Sequence, residues 1–493
     1  MRESLFVKLN RKQLSTGVSV YILGDVRDKN LKKLDELNII SLYSEYGKKL
    51  CEYLDGIYTI VIIDANINRL FVFQDFLGFS NSIYFYIDKN KLLLSNSLKR
   101  IIKELNKELS FDVKGVKIFI KKGFLPSKKT LIKNIFKVPS NRYLELYLSS
   151  FKVKLKYNKV STYPQKGNVS IKHYNNVFVQ SCKSCLNDDL ACTISSGYDS
   201  NYILYILNKQ NEKRLKTFCI GGVVGRNEIS TAQEICAVYD GINFYNAYVN
   251  GNTFDCYPEI VWALEGAIYE SGIFLQFELA NLIKKEGVND ILLGECADQV
   301  FDYELYHPIY AKIKKILYNF KKGFKKILYN IQYKPYKDVY EMASYKVLKK
   351  NGIMLNYYGI NGRYPYLTRT FMTLAKQVSK RGDKTKKYHK KVVNSILPKE
   401  VTAKLKKIGG ATELKALFVG DVSFDMVKTF CKKSRFYKGI KFDDEYYGID
   451  YFMKILYLEL FEWMFVQNAC KDDTLKDRKL REFMFEREKR CTK

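Results

Sequence analysis

Six residues in the middle of the chain, Ser195-Ser196-Gly197-Tyr198-Asp199-Ser200, concentrate groups suited to holding phosphate. Ala191-Cys192-Thr193-Ile194, just before them, reads as the end of a short buried strand, and a helix is expected to open near Asn201. A strand-to-helix turn of this kind aims main-chain N–H groups and the positive helix end at one spot. Ser195, Ser196 and Ser200 add hydroxyl donors, and Gly197 lets the main chain approach closely. Asp199 would repel phosphate unless a cation stood between them, which gives it the character of a Mg²⁺ ligand. Serine, glycine and aspartate are also ordinary turn formers, so the hexapeptide alone also reads as a plain turn.

Other chemistries find less support. The eleven cysteines are scattered, Cys182 and Cys185 form a CxxC, and only three histidines exist (His173, His307, His389). No second pair stands at zinc spacing, and an odd cysteine count suits a reducing cytoplasm. The 83 Lys and Arg against 52 Asp and Glu give a formal charge of +31. That excess attracts polyanions, or makes a generally basic, solvated surface. No nucleic-acid signature accompanies it, so no nucleic-acid partner is expected. No apolar run is long enough for a bilayer, and the N-terminus lacks a signal core; the expected location is cytoplasmic.

The elements that must position the turn follow from patterning. A chain of 493 residues exceeds one comfortable core. Residues 1–155 read as β-rich: Ser19–Leu23, Tyr58–Ile63, Arg69–Phe73, Ile83–Ile87 and Lys91–Ser95 are strand candidates, with helical pieces at Leu31–Leu37 and Ser97–Leu105. This predicts an α+β domain of stacked antiparallel sheets. Residues 156–170 form a linker candidate. From 171 to 493 strands alternate with helices: Leu190–Ile194, Leu215–Ile220 and Ile291–Leu293 are strands, Asn201–Leu207 and Ile229–Tyr239 helices. That order predicts a doubly wound parallel sheet, followed from about 300 by a mostly helical part. Within it Lys314–Asn319 recurs as Lys325–Asn330 in a very basic stretch, 312–338. The stretch suits a solvated amphipathic helix or a docking surface for an anionic partner such as a leader peptide.

The turn resembles the SGGxDS motif of the ATP pyrophosphatases, with Ser196 in place of the first glycine. That departure is expected to tighten the loop or slow pyrophosphate binding. Leu215–Gly221 followed by Asn227-Glu228 resembles the element lining the adenine pocket in the asparagine synthetase group, which implies nucleotide contact at Phe218, Cys219, Ile220 and Gly221. Gly294-Glu295-Cys296-Ala297-Asp298 resembles that group's SGEGADELF motif and implies Asp298 as a second Mg²⁺ carboxylate. Gly359–Leu367 resembles GVExRxPFLD, Lys386 and Lys390 fall in a KxxLR-like stretch, and Pro398–Lys406 resembles LPxEVxxRxKxG. Lys406-Lys407-Ile408-Gly409-Gly410 would then be a glycine-containing loop over the site, with the active-site lysine either Lys406 or Lys407.

Residues 43–99 resemble the same group's glutamine amidotransferase half, in Tyr43–Gly47, Leu54–Tyr58, Asp75–Gly78, Ile83–Tyr86 and Leu94–Lys99. The expected fold is therefore a truncated Ntn-hydrolase-like antiparallel sandwich ahead of an ATP-pyrophosphatase domain. That half's nucleophile, a cysteine after the initiator Met, is replaced by Arg2, and Tyr21–Asp25 lacks the asparagine of NGEIYN. The first cysteine, Cys51, lies deep in the domain. Loss of glutaminase with retention of the ATP site is the pattern of β-lactam synthetases and lasso-peptide cyclases. The resemblance implies ATP-dependent adenylation of a substrate carboxylate, then attack by an amine of the substrate. Lys386 and Lys406 would stabilise pyrophosphate and the oxyanion, and Glu295 or Glu341 would assist deprotonation. Two other readings remain: an asparagine-synthetase-type amidotransferase using free ammonia or a separate glutaminase, and a catalytically weak nucleotide-binding scaffold.

Overall fold

The computed structural model describes residues 5–10, 17–75, 78, 82–126, 128–140, 142–157, 168–186, 190–210, 214–222, 228–301, 348–379, 386–406, 414–439 and 445–491. Two antiparallel sheets come first. β1 (Phe6–Asn10), β5 (Tyr84–Ile87), β6 (Lys91–Ser95) and β7 (Ile135–Lys137) form a sheet of order β1-β6-β5-β7. β2 (Val18–Asp28), β3 (Leu54–Asp64), β4 (Arg69–Gln74), β8 (Arg142–Tyr147) and β9 (Lys152–Tyr157) form a second, of order β2-β3-β4-β8-β9. Alternation along β3 explains the layering. Val61 points into the apolar layer shared with Leu92 and Leu94 of the other sheet, whereas Ile60 and Ile62 pack under the helix Glu36–Tyr46. Burial on both faces is why this strand reads as an unbroken apolar run. The helix begins later than the Leu31–Leu37 expected from sequence. Asp35 caps it reciprocally with Asn38, so the cap and not the preceding leucines sets its start.

Beyond residue 190 the sheet is parallel. β10 (Ala191–Thr193), β11 (Leu215–Gly222), β12 (Ile242–Val249), β13 (Asp290–Leu292) and β14 (Asn361–Arg363) lie in the order β12-β11-β10-β13-β14. The chain winds outward from β10 to β11 and β12, then returns to place β13 and β14 on the other side. The reversal falls between β10 and β13, whose carboxyl ends carry the serine turn and the Gly294–Asp298 turn. A crevice at such a switch is where open parallel sheets bind ligands. The described remainder is mostly helical, and its longest helix, Glu445–Phe461, is buried over most of its described length. No helix among the described residues is long and apolar enough to cross a membrane.

The N-terminal sandwich is locked onto this second part. Phe119 packs on Tyr457 with ring centroids 5.0 Å apart, inside one continuous apolar cluster. The Glu265 carboxylate accepts the Leu98 N–H at 2.6 Å and so caps the helix Leu98–Leu105 from outside the sandwich. Buried Asp55 accepts the N–H groups of Gly56 (2.7 Å) and Arg369 (2.9 Å), and the Arg369 guanidinium donates to the Glu52 carbonyl at 2.6 Å. Asp55→Ala strands those two N–H groups and is expected to cost about 1–3 kcal/mol. Denaturant unfolding checks this, and an unchanged midpoint would remove the carboxylate from the account of domain docking.

Candidate functional site

The serine turn holds its own shape. Ser195 Oγ lies 2.9 Å from Ser200 Oγ, the Ser195 N–H donates to Ser200 Oγ at 3.1 Å, and the Gly197 N–H donates to Ser195 Oγ at 3.1 Å. The fully buried Asn201 amide donates to the carbonyls of Ser195 (2.9 Å) and Gly197 (2.7 Å), turning both away from an incoming anion. In the sequence, Asn201 marks only the expected start of the helix. An amide right after a serine turn, one helical turn from its glycine, was the available signal. With the Ser196 N–H given to Glu228, the three loop amides are engaged. Among the described residues, the donors left for phosphate are the first-turn N–H groups of the helix Tyr198–Gln210 and nearby cationic side chains. Gly294, just past β13, touches this turn: a Cβ there would sit 3.0 Å from the Ser200 nitrogen, tighter than ordinary contact, so the close approach favours glycine. Cys296, two residues on, holds a left-handed φ of 72°.

Asp199 and Asp298, nearly a hundred residues apart in sequence, meet at one cation. Lys386 Nζ lies 2.6 Å from Asp199 Oδ2 and 2.6 Å from Asp298 Oδ1. Lys386 itself is buried and adopts a left-handed φ of 50° at the head of the helix Lys387–Ile396. Burial alone would raise the Asp199 carboxyl, but Lys386 and His389 outweigh it and hold the group far below the usual carboxylate range. Burial likewise pulls the Lys386 ammonium down, and the two carboxylates overcome it and raise it. His389, fully buried, stacks on Phe301 at 4.9 Å, and its Nδ1 meets the Tyr174 hydroxyl at 2.8 Å. Burial lowers its pKa against the pull of Asp199, which favours the neutral ring. Asp199 Oδ1 and His389 Nε2 are 3.0 Å apart and sealed from solvent, yet neither completes a hydrogen bond.

That donor set fits Mg²⁺. Two carboxylates already clasp a cation, and a buried carboxylate oxygen remains unsatisfied. Among the described residues no group of three or more His, Cys, Asp or Glu is placed to hold a metal. A pair of acids suits an ion that completes its shell with phosphate and water. Lys390, in the same helix, places its ammonium 5.4 Å from the Tyr198 ring centroid.

Glu295 belongs to the same turn, between Gly294 and Cys296. Burial raises its carboxyl to about 7 against the opposing pull of Lys350, its own main chain and Gln276. Its Oε2 and the Oε1 of Gln276 are sealed acceptors without partners. Lys350 is bound to Glu270 at 2.6 Å.

Other expected residues serve differently or fall elsewhere. Phe218 stacks on Tyr245 at 5.3 Å, and it and Cys219 are core side chains, so they offer a nucleotide main chain only; Ile220 is partly exposed and Gly221 buried. Arg363 is a brace, its guanidinium reaching Asp290 (2.9 Å) and Asp25 of β2 (3.0 Å). Lys406 joins the site through its main chain, its N–H donating to the Ser196 carbonyl at 2.8 Å. Arg2, Asn227, Glu341, Lys407, Gly409, Gly410 and the basic segment 312–338 lie outside the described residues.

Comparison with known proteins agrees with this arrangement. Residues 173–322 match the asparagine synthase family and residues 32–158 the glutamine amidotransferase domain family. A Methanocaldococcus jannaschii protein assigned as asparagine synthetase [glutamine-hydrolyzing] 2 is 23% identical over 55% of this chain and 53% of its own. The Zea mays asparagine synthetase [glutamine-hydrolyzing] is 20% identical over 69% of this chain and 53% of its own. The chain thus spans about half the length of these curated relatives. A solved glutamine phosphoribosylpyrophosphate amidotransferase from B. subtilis aligns with 42% of this chain and 46% of its own at 11% identity, but the TM-score of 0.20 carries no argument. The two adjoining family matches give the chain a glutamine amidotransferase-like domain ahead of an asparagine synthase domain, and with the curated relatives they support its kinship with the asparagine synthetases.

Proposed function

We propose that the protein is an ATP-dependent carbon–nitrogen ligase that adenylates a substrate carboxylate and passes the acyl group to an amine, without hydrolysing glutamine. The observation that carries this reading is the convergence of Asp199 and Asp298 on one cation at the sheet's switch point. In the proposed reaction the carboxylate attacks the α-phosphate, pyrophosphate leaves, and the amine then displaces AMP. Asp199 and Asp298 would hold Mg²⁺, which when bound offsets charge on the departing pyrophosphate. Lys386 and Lys406 supply positive charge to the phosphates. Glu295, poised near neutrality, takes the amine proton.

The state of the amidotransferase-like half supports the absence of glutaminase. Residues 1–155 hold one cysteine, Cys51, which is buried with its thiol pushed up to about 12 by burial, so it supplies no thiolate at neutral pH. Asp25 is taken up by Arg27 (2.7 Å) and Arg363 (3.0 Å). The amine then comes from the substrate itself, as in the maturation of a peptide or β-lactam natural product, and the basic segment 312–338 is the proposed dock for a precursor peptide or companion protein. A second reading, amidation of aspartate by free ammonia, is favoured by the names of the relatives.

The test is incubation with ATP, Mg²⁺ and a carboxylate panel that includes aspartate with ammonium. AMP and pyrophosphate are expected, with no glutamate formed from added glutamine and no effect of Cys51→Ala on turnover. ADP and phosphate as products would sink the adenylation reading. Glutamate released in step with AMP would restore the glutaminase, and asparagine as product would select the second reading.

A further inference from the structure

Ser196 stands where three segments meet, and its side chain is at 0% exposure. Its N–H donates to Glu228 Oε2 at 2.9 Å, and its hydroxyl lies 3.1 Å from the same oxygen. The hydroxyl also lies 3.0 Å from the main-chain carbonyl of Lys406, 210 residues away in sequence. The Ser196 carbonyl in turn accepts the Lys406 N–H at 2.8 Å. One hydroxyl hydrogen faces two acceptors here. Glu228 Oε2 already receives the Ser196 amide, so sharing the hydroxyl hydrogen with the Lys406 carbonyl costs the carboxylate little.

Both main-chain polar groups of Lys406 are therefore tied to a single residue of the phosphate turn. A glycine at 196 would keep the main-chain bond and lose the hydroxyl one, leaving the Lys406 carbonyl free to rotate. With N–H and C=O both held, the direction in which the lysine side chain leaves the main chain is set. The neighbouring Lys404 adds an exposed pair with Glu234 at 2.8 Å, which holds the same segment against the helix Ile229–Cys236. Placement of this lysine matters because the Ser195, Ser196 and Gly197 amides are spent inside the protein. Side-chain cations must carry more of the phosphate charge than in a turn whose amides face the ligand.

We infer that Ser196 is a positioning residue: its hydroxyl anchors the Lys406 main chain to the turn and so directs the Lys406 ammonium toward the polyphosphate of the nucleotide. This rests on the adenylating reading of the site. It also makes Ser196 a working part of the loop where sequence comparison suggested an impairment.

Two measurements on the full chain test it. Amide exchange without ligand reads the tie alone: Ser196→Ala and Ser196→Gly should speed exchange at the Lys406 amide by about 3- to 10-fold, the size of one net hydrogen bond. Ser196→Thr, which keeps the hydroxyl, should restore protection. Calorimetric titration with ATP and Mg²⁺ reads the role. Ser196→Ala should weaken binding by about 3- to 10-fold, and in a Lys406→Ala background it should cost nothing more, because the hydroxyl acts only through that ammonium. Unchanged exchange, or losses that add in the double variant, overturns the inference. No ATP binding by the wild type overturns the adenylating reading instead, whatever the exchange shows of the tie.

Discussion

Asp199→Ala should abolish AMP release, by about a hundred- to a thousand-fold, with any accepted carboxylate. The size follows from what the carboxylate joins. Asp199 Oδ2 holds Lys386, Lys386 reaches Asp298, and Oδ1 faces His389 without a completed bond. Removing the carboxylate deletes one half of the cation clasp and leaves the buried ammonium to Asp298 alone. Loss of a buried partner also destabilises, by about 3–5 kcal/mol when the other charge is fully stranded, so folding must be followed in parallel. Asp199→Asn separates the two effects, since it keeps the shape and removes the charge. AMP release, measured against Mg²⁺ concentration for both variants, should stay lost at every concentration. Full turnover by Asp199→Asn would end the assignment. The folded Asp199 group lies far below its ordinary 3.8, so its stabilisation is complete above about pH 4 and is lost only as pH falls toward the depressed value. An acid limb in activity between pH 6 and 8 therefore belongs to another group.

Much of this arrangement was legible because it is carried by local chemistry. Strands buried on both faces announce themselves as apolar runs, and β3, β4 and β6 sit within a few residues of their expected places. Elements whose signal is mixed were not legible. β12, Ile242–Val249, is half-exposed at the sheet edge and alternates polar with apolar residues around Asn243 and Asn246, while β14 has only three residues. The site divided in the same way. Asp199, Asp298 and Lys386 stood in recognisable strings; the pairing of β10 with β13 brings the two acids together, and the helix Lys387–Ile396 carries the lysine to them. His389, Tyr174 and Asn201 did not stand out, because each is a lone polar residue whose partner lies elsewhere: Tyr174 meets His389 across 215 positions. Ser196 was visible as a departure from the motif, but its bond to residue 406 is one that no local pattern encodes.

Glu295→Gln should split the reaction into its halves. ATP–pyrophosphate exchange reports adenylation, which needs no base, and should stay within about three-fold of wild type. Amide formation should fall by about 10²–10⁴, the usual contribution of a positioned general base. The glutamine keeps the volume and a hydrogen-bonding end beside Gln276, so packing is preserved. The pH profile provides the second reading. Burial raises Glu295 from 4.5 to about 7, against Lys350 and Gln276, and a base works only when ionised. Amide formation by the wild type should therefore fall about ten-fold per pH unit below 7 and level off above it, and the limb should vanish in the variant. Stability moves the opposite way. A carboxyl whose folded pKa is raised favours folding while protonated, and that advantage is withdrawn as pH climbs from about 4.5 through 7. Glu295→Gln carries no such ionisation, so its melting temperature relative to wild type should rise between pH 5 and pH 8 while its amide synthesis is lost. A variant that lost exchange and stability together would mark Glu295 as a structural acid and return the search for the base to the residues around it.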